Sequence, residues 1–168
     1  MTGEPVPGSV PGQGRLLNVF FDVDNTLIMW NGTLRNHAEH VFKSLKEAGH
    51  TIYVWSGVGI RRMDMQRHHL DPYVTDYFLK PLEDHHRKLK VLGVPLVPDY
   101  VIDDHKTVVD AFGGYHIPDL AGRDDEELLR VLEEITAFAA QPLPRSSREE
   151  EAGDSSLWCS NQRNRSVR

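Results

Sequence analysis

Two carboxylates, Asp22 and Asp24, stand two residues apart behind an apolar run, Leu16-Leu17-Asn18-Val19-Phe20-Phe21. Carboxylates this close repel each other unless a cation or a proton lies between them. Magnesium prefers oxygen ligands, keeps several waters, and takes one or two carboxylates together with a substrate phosphate. A second acidic pair, Asp103-Asp104, could complete such a shell. A carboxylate can also attack phosphorus to give an aspartyl-phosphate. A second carboxyl nearby can protonate the departing alkoxide and then activate water. Lys80 and the Ser56 hydroxyl are the residue types that hold transferring phosphoryl oxygens.

These residues must be brought together by the elements that carry them. Leu16–Phe21 reads as a buried strand, and so does Thr51-Ile52-Tyr53-Val54-Trp55, a β-branched and aromatic run. Between them Ala38, Val41, Phe42, Leu45 and Ala48 recur at helical spacing, with Gly49 as a C-terminal stop. Ile60, Met63, Arg67 and Leu70 suggest a second helix, closed at Asp71-Pro72. A short strand follows over 74–79, then a helix marked by Leu82, Leu89 and Leu92 and stopped at Gly93. Tyr100-Val101-Ile102 is a further strand, followed by a weak helix over 107–112 and a strand over 115–117. The last helix is expected over 124–138, its acidic start matched to the helix dipole. Such alternation predicts an α/β domain, a Rossmann-like three-layer sandwich around a parallel sheet of about five strands. Ligands of such sheets bind beyond the carboxyl ends of the strands. Four of the expected strands end at a polar or charged residue: Asp22, Ser56, Lys80 and Asp103-Asp104.

Taken singly, each of these has a plainer reading. Asp-x-Asp-x-Thr can be a solvated turn or a calcium loop, Ser56-Gly57 a turn, Lys80-Pro81 punctuation, and Asp103-Asp104 a helix cap. In this order, each at a strand end, they resemble the four motifs of the haloacid dehalogenase superfamily of phosphohydrolases. The first is Phe20-Phe21-Asp22-Val23-Asp24-Asn25-Thr26-Leu27, the second Ile52-Tyr53-Val54-Trp55-Ser56-Gly57, the third Lys80-Pro81, and the fourth Val101-Ile102-Asp103-Asp104. The resemblance covers about residues 16–120. It implies Asp22 as nucleophile, Asp24 as general acid and base, and Ser56, Gly57 and Lys80 as phosphate binders, with Thr26 in support. It implies Asp104 as the main magnesium ligand, joined by a side-chain oxygen of Asp22 and the backbone carbonyl of Asp24. Asp103 either shares the metal or orients Lys80. Dehalogenating members lack the second carboxylate of the first motif, and this chain has it.

Two departures from the pattern bear on the site. Lys88 or Lys90 could supply the third motif in place of Lys80, which is preferred because it ends a strand. Val108 stands where many members carry a further acid, and Asp110 is out of register. Members of the family choose substrates largely through an inserted cap, and neither the stretch after the first motif nor that between Ser56 and Lys80 has room for one. No cap domain is therefore expected. An open site of this kind suits a phosphorylated small molecule, an exposed macromolecular phosphate, or closure by a second copy in a homo-oligomer. Trp30 reads as a substrate contact or, more plainly, as an aromatic packed on the sheet edge. Arg61, Arg62 and Arg67 could draw an anionic substrate, though a solvated helix face is the plainer reading. The pairs His68-His69 and His85-His86 point about 100° apart on a helix and chelate one metal poorly. His105, next to the acidic pair, reads as a surface loop residue.

The rest of the chain narrows the class. A net charge of −6 over 168 residues argues against a nucleic-acid or membrane-surface binder, both of which need a basic footprint. The one cysteine, Cys159, excludes a disulfide within the chain. No apolar run approaches the ~18 residues of a membrane span. Residues 1–14 lack the pattern of a secretory signal and read as a flexible lead to a domain over 15–140. Residues 141–168, rich in Pro, Ser, Arg and Glu, read as a disordered tail. The expectation is a cytoplasmic, magnesium-dependent phosphatase working through an aspartyl-phosphate on Asp22. The alternatives are a phosphotransferase or mutase sharing that intermediate, or a non-catalytic phosphate-binding regulatory module.

Overall fold

The apolar run before Asp22 forms the central strand of a five-stranded sheet in a computed structural model that describes residues 14–142. The expected lead and tail, and Cys159 with them, lie outside the described residues except for Gly14, Gln141 and Pro142. The strands are β1 (Asn18–Asp22), β2 (Thr51–Ser56), β3 (Asp76–Leu79), β4 (Tyr100–Asp103) and β5 (Gly114–His116). The helices are α1 (Ala38–Glu47), α2 (Arg62–Arg67), α3 (His85–Val91), α4 (Lys106–Phe112) and α5 (Glu127–Ala140), with one 3-10 turn at Asp71–Tyr73. All pairings are parallel, in the order β3-β2-β1-β4-β5. The sheet is flanked by helices on both faces, a Rossmann-like three-layer sandwich.

Period-two alternation divides the core. Val19 and Phe21 of β1, Ile52 and Val54 of β2 and Ile102 of β4 face one layer, where Val41, Phe42 and Leu45 of α1 meet Leu128, Val131 and Ile135 of α5. Phe20, Trp55 and Val101 face the other, against Leu89 of α3 and Val108 of α4. Val108, which stands where the family pattern often has an acid, is thus a buried core residue. Burial on both faces explains why β1 and β4 read as continuous apolar runs rather than alternating ones. Gly114 is required where β5 meets β4. Its φ is 146°, and a Cβ there would lie 1.9 Å from the Val101 carbonyl oxygen.

The last helix starts later than its acidic run suggests. Asp124 and Asp125 precede it, and Asp125 instead receives a bond from Arg35 at 2.9 Å. Likewise α2 is confined to Arg62–Arg67, because residues 57–61 turn away from the strand end toward Asp24. The connection 23–37 holds only turns and bridges, with no further domain among the described residues. No described helix is long and apolar enough to cross a membrane.

Candidate active site

β1 is the strand on whose two sides the chain lays down β2 and β4, so the sheet's switch point lies at the ends of β1 and β4. Register then decides which side chains meet. Phe21 pairs with Ile102, which sets Asp22 level with Asp103, and Ser56 pairs with Leu79, which places Lys80 one step beyond. Asp22, Asp103 and Lys80 each follow a residue of one core layer (Phe20, Val101 and Phe78) by two positions, so all three point to the same side of the sheet.

There they form a buried cluster. Lys80 Nζ donates to Asp22 Oδ1 at 2.7 Å and to Asp103 Oδ1 and Oδ2 at 3.1 and 2.9 Å. The Thr26 hydroxyl donates to the second oxygen of Asp22 at 3.1 Å. Thr26 and Asp103 are fully buried, and Asp22 and Lys80 nearly so. The backbone N–H of His105 donates to Asp103 Oδ1. Burial, and then the charge of Asp103, push the Asp22 carboxyl up to about 7 despite the adjacent Lys80. Burial likewise raises Asp103, although Lys80 and the His105 N–H act to lower it. Burial alone would lower Lys80, but the charges of Asp22 and Asp103 hold it above its ordinary value.

The lysines and acids that the sequence offered for this site are placed as follows. Lys80 occupies the site, whereas Lys88 pairs with Glu83. Both oxygens of Asp103 accept from Lys80. Asp110, the out-of-register acid, is bound by Lys106 on the exposed face of α4.

A second, outer cluster forms around Asp24. The Ser56 hydroxyl donates to Asp24 Oδ2 at 3.1 Å and accepts the Val58 N–H at 3.2 Å. Arg61 Nη1 lies 2.6 Å from both oxygens of Asp24, and Arg61 Nε donates to Asp64 at 2.6 Å. Ser56 is therefore within reach of the acidic pair, joined to Asp24 rather than to Asp22. Gly57 follows it, exposed on the turn, and a Cβ there would meet Leu82 at 2.8 Å. Asn25 takes a left-handed conformation (φ 59°), which lets Thr26, Leu27 and Ile28 turn back onto the Val23 carbonyl.

The acidic groups here could hold a divalent cation. Asp22, Asp103 and Asp104 present carboxylate oxygens at adjoining strand ends, with Lys80 as the one ammonium among the described residues bonded to any of them. Ligand atoms of Asp103, Asp104 and His105 lie within 4.8 Å of one another. The Asp104 side chain is only 7 % exposed, and its oxygen lies 2.8 Å from His105 Nδ1.

Two residues depart from the plainer expectations, and a third had none. Trp30 is 81 % exposed, so it does not pack on the sheet edge; its ring stands out from the flap, the part of the 23–37 connection that holds Ile28, Met29 and Trp30. Arg61 is no solvated helix residue, because Asp24 and Asp64 draw its side chain inward. Arg35 was not singled out from the sequence at all. Its buried guanidinium donates to the carbonyls of Asn25, Thr26, Pro118 and Leu120 and to Asp125. It thereby clamps the turn that follows Asp24. No periodicity marks it, since it lies in an irregular connection and its partners come from the far end of the chain. Of the histidine pairs, His85 and His86 lie against the Phe112 ring.

No family model matches this chain, and no curated protein matches it.

Proposed function

We propose that the chain is a magnesium-dependent phosphomonoester hydrolase that works through an aspartyl-phosphate on Asp22, as its resemblance to the haloacid dehalogenase superfamily implies. The observation that carries this reading is the buried Asp22–Lys80–Asp103 cluster at the switch point, with Asp24 beside it on the same loop. A purely structural role would not bury two carboxylates on one ammonium, because desolvating an anion costs several kcal/mol (~, per ion) and hydrophobic replacement is often the more stable choice.

In this reading Thr26 and Lys80 hold the Asp22 carboxylate in one orientation, one donor on each oxygen. Asp22 attacks phosphorus, and the bond to the leaving oxygen breaks. Asp24 gives that oxygen a proton and afterwards takes one from the water that cleaves the acyl phosphate, freeing Asp22 and inorganic phosphate. Ser56 and Lys80 serve the phosphoryl oxygens. Asp22, Asp103, Asp104 and the Asp24 carbonyl would hold magnesium, which supplies positive charge to offset that of a phosphate dianion next to the nucleophile.

The test is hydrolysis of para-nitrophenyl phosphate with and without magnesium. Activity is expected to need the metal and to fall below detection in Asp22→Asn. Wild-type turnover that persists after complete metal removal would overturn the proposal. Trapping of beryllium fluoride on Asp22 is the matching structural readout.

A further inference from the structure

Beside Asp24 the fold leaves a cavity of about 230 Å³ that none of the steps above uses. Its apolar side is the flap, with Ile28, Met29 and Trp30, and its polar side is the start and end of α2, with Arg61, Asp64, Arg67 and His68. We infer that this cavity is the leaving-group site, and that it selects small phosphomonoesters whose leaving group is a flat body carrying a second anion, a carboxylate or a phosphate. The inference rests on the phosphatase reading in one respect: Asp24 must face the leaving oxygen, so the remainder of the leaving group lies where Asp24 opens, in this cavity.

The lining decides the chemistry. Both carboxylates of the wall, Asp24 and Asp64, are already engaged by Arg61. Among the donors left over are two cations. Arg61 Nη2 has no acceptor among the described residues, and the exposed Arg67 has no acidic partner among them either. A guanidinium with donors to spare is the group that binds carboxylate or phosphate bidentately. Opposite it stands the Trp30 ring, 81 % exposed, which offers a flat apolar face. The volume is below the ~300 Å³ at which drug-sized sites begin, so it suits the leaving group of a small metabolite.

Arg61 also couples recognition to chemistry. While it sits on both oxygens of Asp24, that carboxylate, its side chain 49 % exposed, meets a leaving group with the guanidinium already bound to it. An incoming anion competes for the same guanidinium and draws it off Asp24. Esters without a second anion offer nothing in exchange and meet Asp24 in its occupied form.

The experiment compares para-carboxyphenyl phosphate with its neutral isostere, para-carbamoylphenyl phosphate, in the full-length protein with magnesium. Wild type is expected to prefer the carboxylate by about tenfold or more in kcat/KM, the value of one charge-assisted contact. Arg61→Gln and Arg67→Gln should each bring that ratio toward one, with Arg61→Lys intermediate. A wild-type ratio of one, or a ratio unchanged in both Gln variants, overturns the inference. Arg67 is exposed, so Arg67→Gln keeps the test sound if Arg61→Gln fails to fold. If neither ester is cleaved, the phosphatase reading fails by itself. The two corresponding benzylphosphonates then decide the site by quenching of fluorescence, with Trp30→Phe as the blank. Tighter binding of the carboxylated phosphonate, lost in the Gln variants, supports the cavity's selectivity, and equal Kd values overturn it.

Discussion

Asp22 carries a cost that its proposed role accounts for. It is buried, it shares one lysine with Asp103, and its carboxyl is pushed up to about 7. In an unfolded chain the same group titrates near 3.8. Between those two values the folded, metal-free protein holds a proton that the unfolded chain has lost, so its stability falls as pH rises through that window. Above pH 7 the buried anion remains and the cost is complete. Asp22→Asn removes it while leaving Lys80 paired with Asp103. In metal-free buffer at pH 8 that variant is expected to be more stable than wild type, by ~1–2 kcal/mol, as sites that trade stability for function commonly show. At pH 4 the difference should vanish. Urea unfolding at both pH values measures it, and a variant less stable than wild type at pH 8 counts against a strained nucleophile. At this scale Asp22 and Lys80 were legible from their places at strand ends. Arg61 was not, because its partners stand 37 residues before it and three after it, and only the second is local.

The connection between β1 and α1 has no regular structure, yet it must hold Asp24, Asn25 and Thr26 in place. Arg35 does this from within the same connection. It reaches back to the carbonyls of Asn25 and Thr26 and across to Asp125, Pro118 and Leu120, and its side chain is fully buried. A backbone carbonyl buried without a donor is expensive, so the guanidinium substitutes for the missing ladder. Arg35→Ala strips donors from these carbonyls and leaves the Asp125 side chain, 7 % exposed, without its cation. Loss of one partner of a buried pair costs ~3–5 kcal/mol. The expected result is a lower urea midpoint of that size together with a lower kcat. Arg35→Lys should recover little, since one ammonium cannot serve five acceptors in a plane. Normal stability in Arg35→Ala would show that the clamp is incidental. At the element scale the sequence placed every strand and helix, but their ends shifted by a few residues. The start of α5 illustrates why: Asp125 looks like a helix-start acid locally, and a distant arginine claims it instead.

Across the whole molecule, the groups proposed to hold a divalent cation stand at the ends of the central strand β1 and its neighbour β4, which both core layers cover. A cation that binds only this arrangement stabilises the entire domain rather than a loop. At about a hundred times its Kd it contributes ~2.7 kcal/mol, a rise of roughly 5–15 °C in Tm for a domain of this size. Proton and cation compete for Asp22, so the rise should be larger at pH 8 than at pH 5.5. Thermal scans with and without magnesium measure this, with Asp104→Asn expected to reduce the shift. An equal shift at both pH values, or none, would separate the acidic cluster from metal binding.

The amino-acid sequence alone determined the alternation of elements, the parallel sheet and the strand-end positions of Asp22, Ser56, Lys80 and Asp103. Those follow from period and punctuation, which are local properties of the chain. Tertiary structure decided what those ends do to each other. Strand order and register, which depend on pairing between distant segments, set Lys80 between Asp22 and Asp103 and set Ser56 on Asp24 instead. Tertiary structure also brought Arg61 onto Asp24 and opened a cavity between the flap and α2. A guanidinium finds its carboxylate by distance in space, and no local pattern of residue types encodes that distance.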